Sequence, residues 1–398
     1  MKVIQINAVS EYSSTGRTTS ELHDALIQKG HESWIAAPNV PNGIQTIKIG
    51  SKLEIGFHGL FSRLFGRQGY ASVLSTWRLI SKLKKINPDI VHLRNLHANY
   101  INLPLLFCYL RDNNVPTVIT LHDCWPFTGH CCYFIDSNCD KWKKGCGKCP
   151  DIRMWNPSWF FDFSRRKLLN NSRYFSELKN LGVIGVSDWV TNFARDSILK
   201  NAAIIKRIYN WIDIDKFRPS SSRMSPNPTP IILGVSQIWN RQKGLEDFIK
   251  LATMLPDCKF MLVGKLIEYI EDIPLNINFI GTTSSVTQLI EYYNKADVFF
   301  NPSTRETFGK VTAEALACGL PVVAYNATAT PELVGSGCGY IVTVGDIDAA
   351  KDAVEKVLKD KTMAKRAREY AVRTFDKSKL VDEYIEVYQA LIDNRNRI

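Results

Sequence analysis

The chain alternates two hydrophobic rhythms. Short apolar runs with strand character recur at Lys2–Ile6, Trp34–Ala37, Asp89–Leu93, Thr117–Leu121 and Gly182–Val186. Between them lie stretches of helical period, Thr18–Gly30 with a glycine stop and Ala71–Ile86 ending in Lys82, Lys84 and Lys85. Strands alternating with helices predict α/β units built on parallel sheets. Phe57, Leu60, Phe61, Leu64 and Phe65 fall at i, i+3, i+4, i+7 and i+8, one apolar face of a further helix, with His58, Arg63 and Arg67 on other faces. A break comes at Phe217–Pro230, where four prolines and four serines fit no element interior. A second alternation follows. It has strands at Ile231–Val235, Phe260–Val263, Asn278–Ile280 and Ala296–Phe300, and helices from Leu245 and from Val286. A short helix at Thr312–Cys318 is stopped by Gly319 and Pro321, and a strand opens at Val322–Ala324. The tail Lys377–Ile392 reads as helix. The pattern predicts an α/β chain of two doubly wound, Rossmann-like domains, 1–213 and 214–375, with a terminal helix in 376–398. A length of 398 residues supports two cores rather than one.

Composition adds little to the fold but bears on partners. With 45% hydrophobic and 22% charged residues the chain is of the globular class, and it holds no uncharged apolar run of about 18 residues. The opening MKVIQINAV is too short for the apolar region of a signal peptide, so a cytoplasmic protein is expected. The net charge of +11 is lopsided: residues 1–218 hold 29 Lys+Arg against 17 Asp+Glu, and residues 219–398 hold 21 against 22. A basic first half suits an anionic partner, whether a phospholipid surface, a lipid diphosphate or nucleic acid, and also suits a plain solubilising surface. Trp155, Trp159, Phe160, Phe161 and Phe163 stand beside Arg165, Arg166 and Lys167. With the helices of 57–85 they read as a membrane-facing patch, as stacking platforms for bases, or as partly buried core.

The densest chemistry lies in NPSTRETFGKVTAEALACGLPVVA, Asn301–Ala324. Glu306 follows a strand and Glu314 lies inside the next helix, with Phe308, Gly309 and Lys310 between. Backbone amides around Gly309 and Lys310 open at a helix N-terminus, where phosphate is favoured. Such a site suits a nucleotide-sugar, with Glu314 accepting from ribose hydroxyls, the amides holding pyrophosphate and Glu306 accepting from hexose hydroxyls. Three further segments sit where open α/β sheets bind ligands. Ser13–Arg17, with Gly16, is expected to be a small loop after the first strand. His122 closes the strand Thr117–Leu121. Arg241 and Lys243 follow the first strand of the second half and can stabilise a departing diphosphate. No G-x-G-x-x-G or P-loop is present, which disfavours a simple dehydrogenase or NTPase. Of ten cysteines, six fall in 124–149. The knuckle Cys146-Gly-Lys-Cys149, with Cys139 and Cys131 or Cys132, has the composition of a structural zinc site, with His130 as another ligand candidate and reduced, unliganded thiols as the alternative.

The E-x7-E pair, with its N-P-S, F-G and E-A-L-A-C-G-x-P-V-V flanks and the later Pro331-Glu332, resembles the signature of family 4 retaining glycosyltransferases of GT-B fold. The segment beginning H-D-C-W-x-F-T-G-H-C at His122 is similar to members from bacterial capsule, exopolysaccharide and O-antigen clusters. The resemblance implies two Rossmann-like domains facing across a cleft, the last helix packing back on the first. It implies catalytic roles for His122, Glu306, Arg241 and Lys243, and donor binding by Gly16, Glu306, Phe308, Gly309, Lys310 and Glu314. It also implies a nucleotide-sugar donor, no catalytic cofactor, and a glycan or lipid-linked glycan acceptor at the inner face of the cell membrane, with no nucleic acid partner. The chain departs from the family in carrying Ser236-Gln237 where Gly-Arg is expected; Arg241 is the candidate replacement. The metal-ligand set expected for this transferase is Cys131, Cys139, Cys146 and Cys149, holding a structural zinc. Rival readings are a manganese-dependent GT-A transferase using Asp213/Asp215 or Asp346/Asp348, a GT-B nucleotide-sugar epimerase, and a basic, zinc-containing nucleic-acid-binding protein.

Overall fold

A computed structural model describes residues 2–397 apart from residue 12 and the segments 41–44, 221–226 and 268–271, together with Met1. The middle of the Pro/Ser-rich linker therefore lies outside the described residues. The chain divides into two compact units, Met1–Ile208 with Val381–Ile398, and Tyr209–Leu380.

The first unit runs β1 (Lys2–Ile6), α1 (Ser13–Gln28), β2 (Glu32–Ala37), β3 (Thr46–Lys48), α2 (Lys52–Phe65), α3 (Val73–Ile86), β4 (Ile90–Leu93), α4 (Leu103–Asp112) and β5 (Thr117–Leu121). It continues with α5 (Lys141–Lys144), α6 (Ser164–Ser176), β6 (Leu181–Gly185), α7 (Asp188–Arg195) and β7 (Ile204–Arg207). Its sheet is parallel with order β3-β2-β1-β4-β5-β6-β7. The strand order reverses between β1 and β4, so loops at their C-terminal ends splay apart and leave room for a ligand. The central strands β4, β5 and β6 are buried along their length and mostly apolar, with His92, Thr117 and Thr120 as their polar members, as expected of a parallel sheet covered on both faces.

The second unit runs β8 (Ile231–Trp239), α8 (Leu245–Met254), β9 (Lys259–Leu266), β10 (Ile277–Gly281), α9 (Val286–Lys295), β11 (Val298–Asn301), α10 (Lys310–Ala317) and β12 (Val322–Tyr325). Then come α11 (Thr330–Leu333), β13 (Gly339–Val342), α12 (Ile347–Lys359), α13 (Met363–Phe375) and the first residues of α14 (Lys377–Arg397). Its parallel sheet has order β10-β9-β8-β11-β12-β13, again reversing, here between β8 and β11. Phe248 anchors the core, with its ring 5.5 Å from Phe260, 6.0 Å from Phe300 and 5.6 Å from Trp239.

From Val381 onward α14 belongs to the first unit. Tyr388 hydroxyl lies 2.7 Å from His92 Nδ1, and His92 Nε2 lies 2.7 Å from Thr120 Oγ1. Burial holds His92 well below the ordinary histidine value, so the ring is neutral and serves this packing.

Helix α2 departs from the usual amphipathic arrangement. Its buried residues are His58, Gly59 and Ser62, while Leu53 is 87%, Phe57 65% and Leu60 47% exposed. On α3, Leu74 and Trp77 are 69% and 66% exposed. His58 explains the inversion. Its Nε2 accepts from the Gly69 amide at 3.1 Å and its Nδ1 lies 2.7 Å from Ser72 Oγ, so the ring ties the α2–α3 turn inward. Beyond α2, Trp159 N–H donates to Arg63 carbonyl at 2.7 Å and Phe161 stacks on Phe65, which brings exposed Trp159, Phe160 and Phe161 alongside its C-terminal end.

Candidate active site

In the second unit two loops meet at the reversal of strand order. Trp239 ends β8, and Asn240 caps the next turn by accepting from Lys243 N–H at 3.0 Å. Gly244 follows with φ of +71°. A Cβ there would lie 2.3 Å from the Pro302 carbonyl oxygen, so glycine alone allows the β8 loop to press on the β11 loop. Thr304 N–H then donates to Gln242 carbonyl at 2.9 Å, closing the two loops together. The result brings Lys243 Nζ to 2.5 Å from Glu306 Oε1. Glu306 is further fixed by its own N–H donating to Thr328 Oγ1 at 2.9 Å.

After Glu306 the chain turns through buried Phe308 and through Gly309, φ +89°, into α10. Asn301 Nδ2 donates to Thr312 Oγ1 at 2.9 Å, pinning the first turn of α10 to the end of β11. The helix starts at Lys310, two residues earlier than its sequence pattern predicts, so Gly309 and Lys310 stand at its N-terminus. The first amides of α10, an array suited to an anion, therefore follow closely on the Lys243–Glu306 pair. Glu314 sits deeper than its proposed contact with a ribose suggests. It is 1% exposed, and Tyr293 hydroxyl donates to its Oε2 at 3.1 Å. Arg241 is exposed at the start of the β8 loop.

In the first unit the expectation of a loop at Ser13–Arg17 is corrected. These residues form the first turns of α1, and Gly16 is buried there because a Cβ would stand 3.2 Å from Glu11 N. Asn7, just after β1, orders the surroundings: its Oδ1 accepts from Ala8 N–H and Asn95 N–H, and its Nδ2 donates to Thr19 Oγ1. His122 closes β5 as expected, and its Nε2 lies 3.3 Å from Arg94 Nη1. Arginine can only donate, so Nε2 accepts and the ring proton sits on Nδ1.

Arg94 is the residue the sequence reading missed. It is 1% exposed, immediately after β4, and donates to Gln5 Oε1 at 3.1 Å and Thr18 Oγ1 at 3.2 Å. A charged residue directly behind an apolar strand in VHLRN was the available signal. Asp123 accepts from His97 Nε2 at 2.8 Å and from Trp125 N–H at 2.9 Å. Burial works against the Asp123 charge, but His97 and that amide outweigh it, so the carboxyl lies below its ordinary range.

The aspartates offered as metal pairs have other partners. Asp213 binds Lys216 through both its amide and its ammonium, and Asp346 caps α12 by accepting from Ala349 N–H. Among the described residues, the set of histidine, cysteine and carboxylate ligand atoms within 4.8 Å of one another is His97, Asp123 and Cys132. Cys131, Cys139, Cys146 and Cys149 are not drawn together that tightly, but all four line one small cavity.

Comparison with known proteins places both halves. Residues 15–216 match the model for Glycosyltransferase Family 4, and residues 217–374 match that for Glycosyl transferases group 1. The chain belongs to the family 4 glycosyltransferases. It is 24% identical over 251 residues, 59% of this chain and 62% of the relative, to an N,N'-diacetylbacillosaminyl-diphospho-undecaprenol alpha-1,3-N-acetylgalactosaminyltransferase of Campylobacter jejuni. It is 38% identical over 79 residues, 20% of this chain and 21% of the relative, to the capsular polysaccharide biosynthesis glycosyltransferase CapM of Staphylococcus aureus. Among solved structures, Anabaena Alr3699/HepE in complex with UDP-glucose superposes with a TM-score of 0.67, 16% identity, and coverage of 98% of this chain and 100% of that one. The two parallel sheets and these neighbours give the chain the GT-B fold. The GT-A rival is thereby set aside.

Proposed function

We propose that this glycosyltransferase moves a sugar, with retention of anomeric configuration, from a nucleotide diphosphate to a hydroxyl of a lipid-linked glycan at an anionic membrane surface. The observation that carries the donor half of this reading is the Lys243–Glu306 pair close to the N-terminus of α10. Charge grows on the diphosphate as the glycosidic bond breaks, and a group that meets it there lowers the barrier. Lys243 supplies that charge, Arg241 adds to it, and the first amides of α10 accept the phosphate oxygens. Glu306 is released by the incoming phosphates to accept from hexose hydroxyls. Glu314, braced by Tyr293, turns to the ribose. With no side chain singled out as general base, the departing phosphate takes the acceptor proton on the face where the acceptor attacks. Positive charge comes from the protein, so we expect turnover without added divalent cation. In the first unit, His122 stands at the C-terminal end of β5, where open α/β sheets bind ligands, and is the candidate to meet a sugar hydroxyl or the acceptor.

Two observations support a lipid-linked acceptor. The outward apolar residues of α2 and α3 sit among Lys52, Arg63, Arg67, Arg78, Lys82, Lys84 and Lys85, a combination suited to anionic lipid. The Campylobacter relative is named for a diphospho-undecaprenol acceptor. Among the described residues no helix is long and apolar enough to cross a membrane, so attachment would be peripheral. The test is incubation of the protein and a panel of nucleotide-sugars with undecaprenyl-diphosphate-linked glycans in vesicles, products being read by mass spectrometry. Transfer only to soluble sugars would remove the lipid-linked half of the proposal.

A further inference from the structure

We infer that Cys131, Cys139, Cys146 and Cys149 form a structural tetrathiolate zinc site that fixes the segment 129–163. This segment is poor in regular structure. Its regular structure is the four-residue α5, too little to order a segment of this length by backbone pairing alone. The four cysteines, spread over residues 131–149, line one cavity with about 10 Å³ of free interior, room for one ion-sized guest. None of them is in a disulfide.

The surroundings fit a thiolate cluster. The Gly129 amide donates to Cys146 sulfur and the Asp151 amide to Cys149 sulfur, the kind of contact that stabilises metal-bound thiolates and directs them inward. A Cβ on Gly129 would stand 2.8 Å from Cys146 Cβ and 2.2 Å from Ser164 carbonyl oxygen, so the glycine permits that approach. The knuckle itself is bent by Gly145 at φ +136°, Gly147 at +134° and Lys148 at +45°. Four thiolates on zinc leave a net negative charge. Lys167, 2% exposed, stands near Cys131, Cys132 and Cys146 with its side-chain nitrogen 3.3 Å from the centre of the Trp125 ring, where its ammonium form would balance that charge. His130 lines the same cavity, with its Nε2 3.3 Å from the Met154 carbonyl oxygen. Zinc suits four sulfur donors better than harder cations do.

The site also explains how the exposed aromatics are held. Cys149 N–H donates to Asp162 Oδ2 at 2.7 Å, and Asp162 Oδ1 accepts from Ser164 N–H at 2.8 Å. The knuckle thus grips the strip Trp159–Phe161 that lies against α2.

The test is elemental analysis of the purified full chain, with thiol titration under native conditions. We expect about one zinc per chain, as a closed structural site holds a single ion, and protection of four thiols that a chelator exposes. Cys146→Ser/Cys149→Ser should lose the metal, while Cys108→Ser and Cys132→Ser keep it. Cobalt loaded in its place should show the intense near-ultraviolet band of thiolate coordination. On metal removal, hydrogen exchange should rise across 129–163 and stay unchanged in the second unit. Native wild-type protein that is metal-free, thiol reactivity that a chelator leaves unchanged, or an intact mass showing disulfides within 131–149 would overturn the inference. So would retention of zinc by the double variant, and none of these readouts depends on transferase activity.

Discussion

Helix α2 turns its apolar stripe to solvent, and the sharpest consequence is on membranes. Consider Leu53→Ser, Phe57→Ser and Trp77→Ser combined. These side chains are 87%, 65% and 66% exposed, so replacing them removes almost no contact from the folded protein. Stability should shift by about 0.5 kcal/mol or less per site. On a bilayer the same groups would leave water. Full burial of a large apolar side chain contributes about 1.5–3 kcal/mol, and the exposed fractions scale this to roughly 3–6.5 kcal/mol for the three. Interfacial insertion recovers about half of that, so the variant should lose roughly 2–3 kcal/mol, a weakening on the order of 30- to 150-fold at 1.4 kcal/mol per decade. Co-sedimentation with vesicles of mixed phosphatidylglycerol and phosphatidylcholine measures it. A salt series separates the apolar part from the basic part, which contributes about 1 kcal/mol per lysine or arginine near the surface and fades over a Debye length of about 8–10 Å. Lys82→Gln/Lys84→Gln/Lys85→Gln should weaken binding at low salt only. If the triple serine variant sediments like wild type, or wild type fails to bind at low salt, α2 and α3 do not face lipid.

Three further outcomes are expected. Lys243→Ala should lower turnover by about two orders of magnitude, since one lost stabilising donor costs roughly 2.7–4 kcal/mol at such sites; Glu306→Gln should lower turnover with nucleotide diphosphate affinity nearly intact, and full activity in Lys243→Ala would remove the diphosphate assignment. Glu314→Ala should weaken nucleotide binding by about 1.5–3 kcal/mol in calorimetry, the range for a hydrogen bond to a charged group, whereas Tyr293→Phe should cost about 1 kcal/mol of stability and leave binding in place; unchanged affinity in Glu314→Ala would assign the glutamate to packing alone. The third concerns His58, lowered by burial from 6.5 to about 4. The folded state then binds fewer protons than the unfolded chain between those values, so stability is full above pH 6.5 and falls as pH drops towards 4, by up to roughly 3 kcal/mol at 1.36 kcal/mol per unit. Urea unfolding across this range should lose that part of its slope in His58→Gln.

Much of this fold was legible because buried parallel strands advertise themselves. Lys2–Ile6 and Thr117–Leu121 read as short runs rich in Val, Ile and Leu, and α9 begins at Val286 as its pattern indicates. Elements without such a signal escaped: β3 is three residues long and β7 carries Lys206 and Arg207. The Ser13–Arg17 segment was misread because serine, threonine and glycine favour turns locally, while Gln5 and Asn7 reach across to Thr19 and hold the helix from outside. In the site, the E-x7-E spacing located Glu306 and the helix, but not the depth of Glu314, which depends on Tyr293 from another helix. The meeting of Lys243 with Glu306 was equally hidden, since it rests on the close approach of Gly244 to Pro302. The orientation of α2 could not be read from periodicity, which identifies an apolar face without saying what covers it.

The most direct measurement is nuclear magnetic resonance of the protein with a panel of nucleotide-sugars, in the presence of a chelator and without acceptor. The proposed retaining chemistry predicts slow loss of one donor class, release of nucleotide diphosphate, and free sugar appearing first in the anomeric configuration of the donor. That loss should vanish in Lys243→Ala. A folded protein that consumes no nucleotide-sugar, or one that releases the opposite anomer before mutarotation, would contradict it.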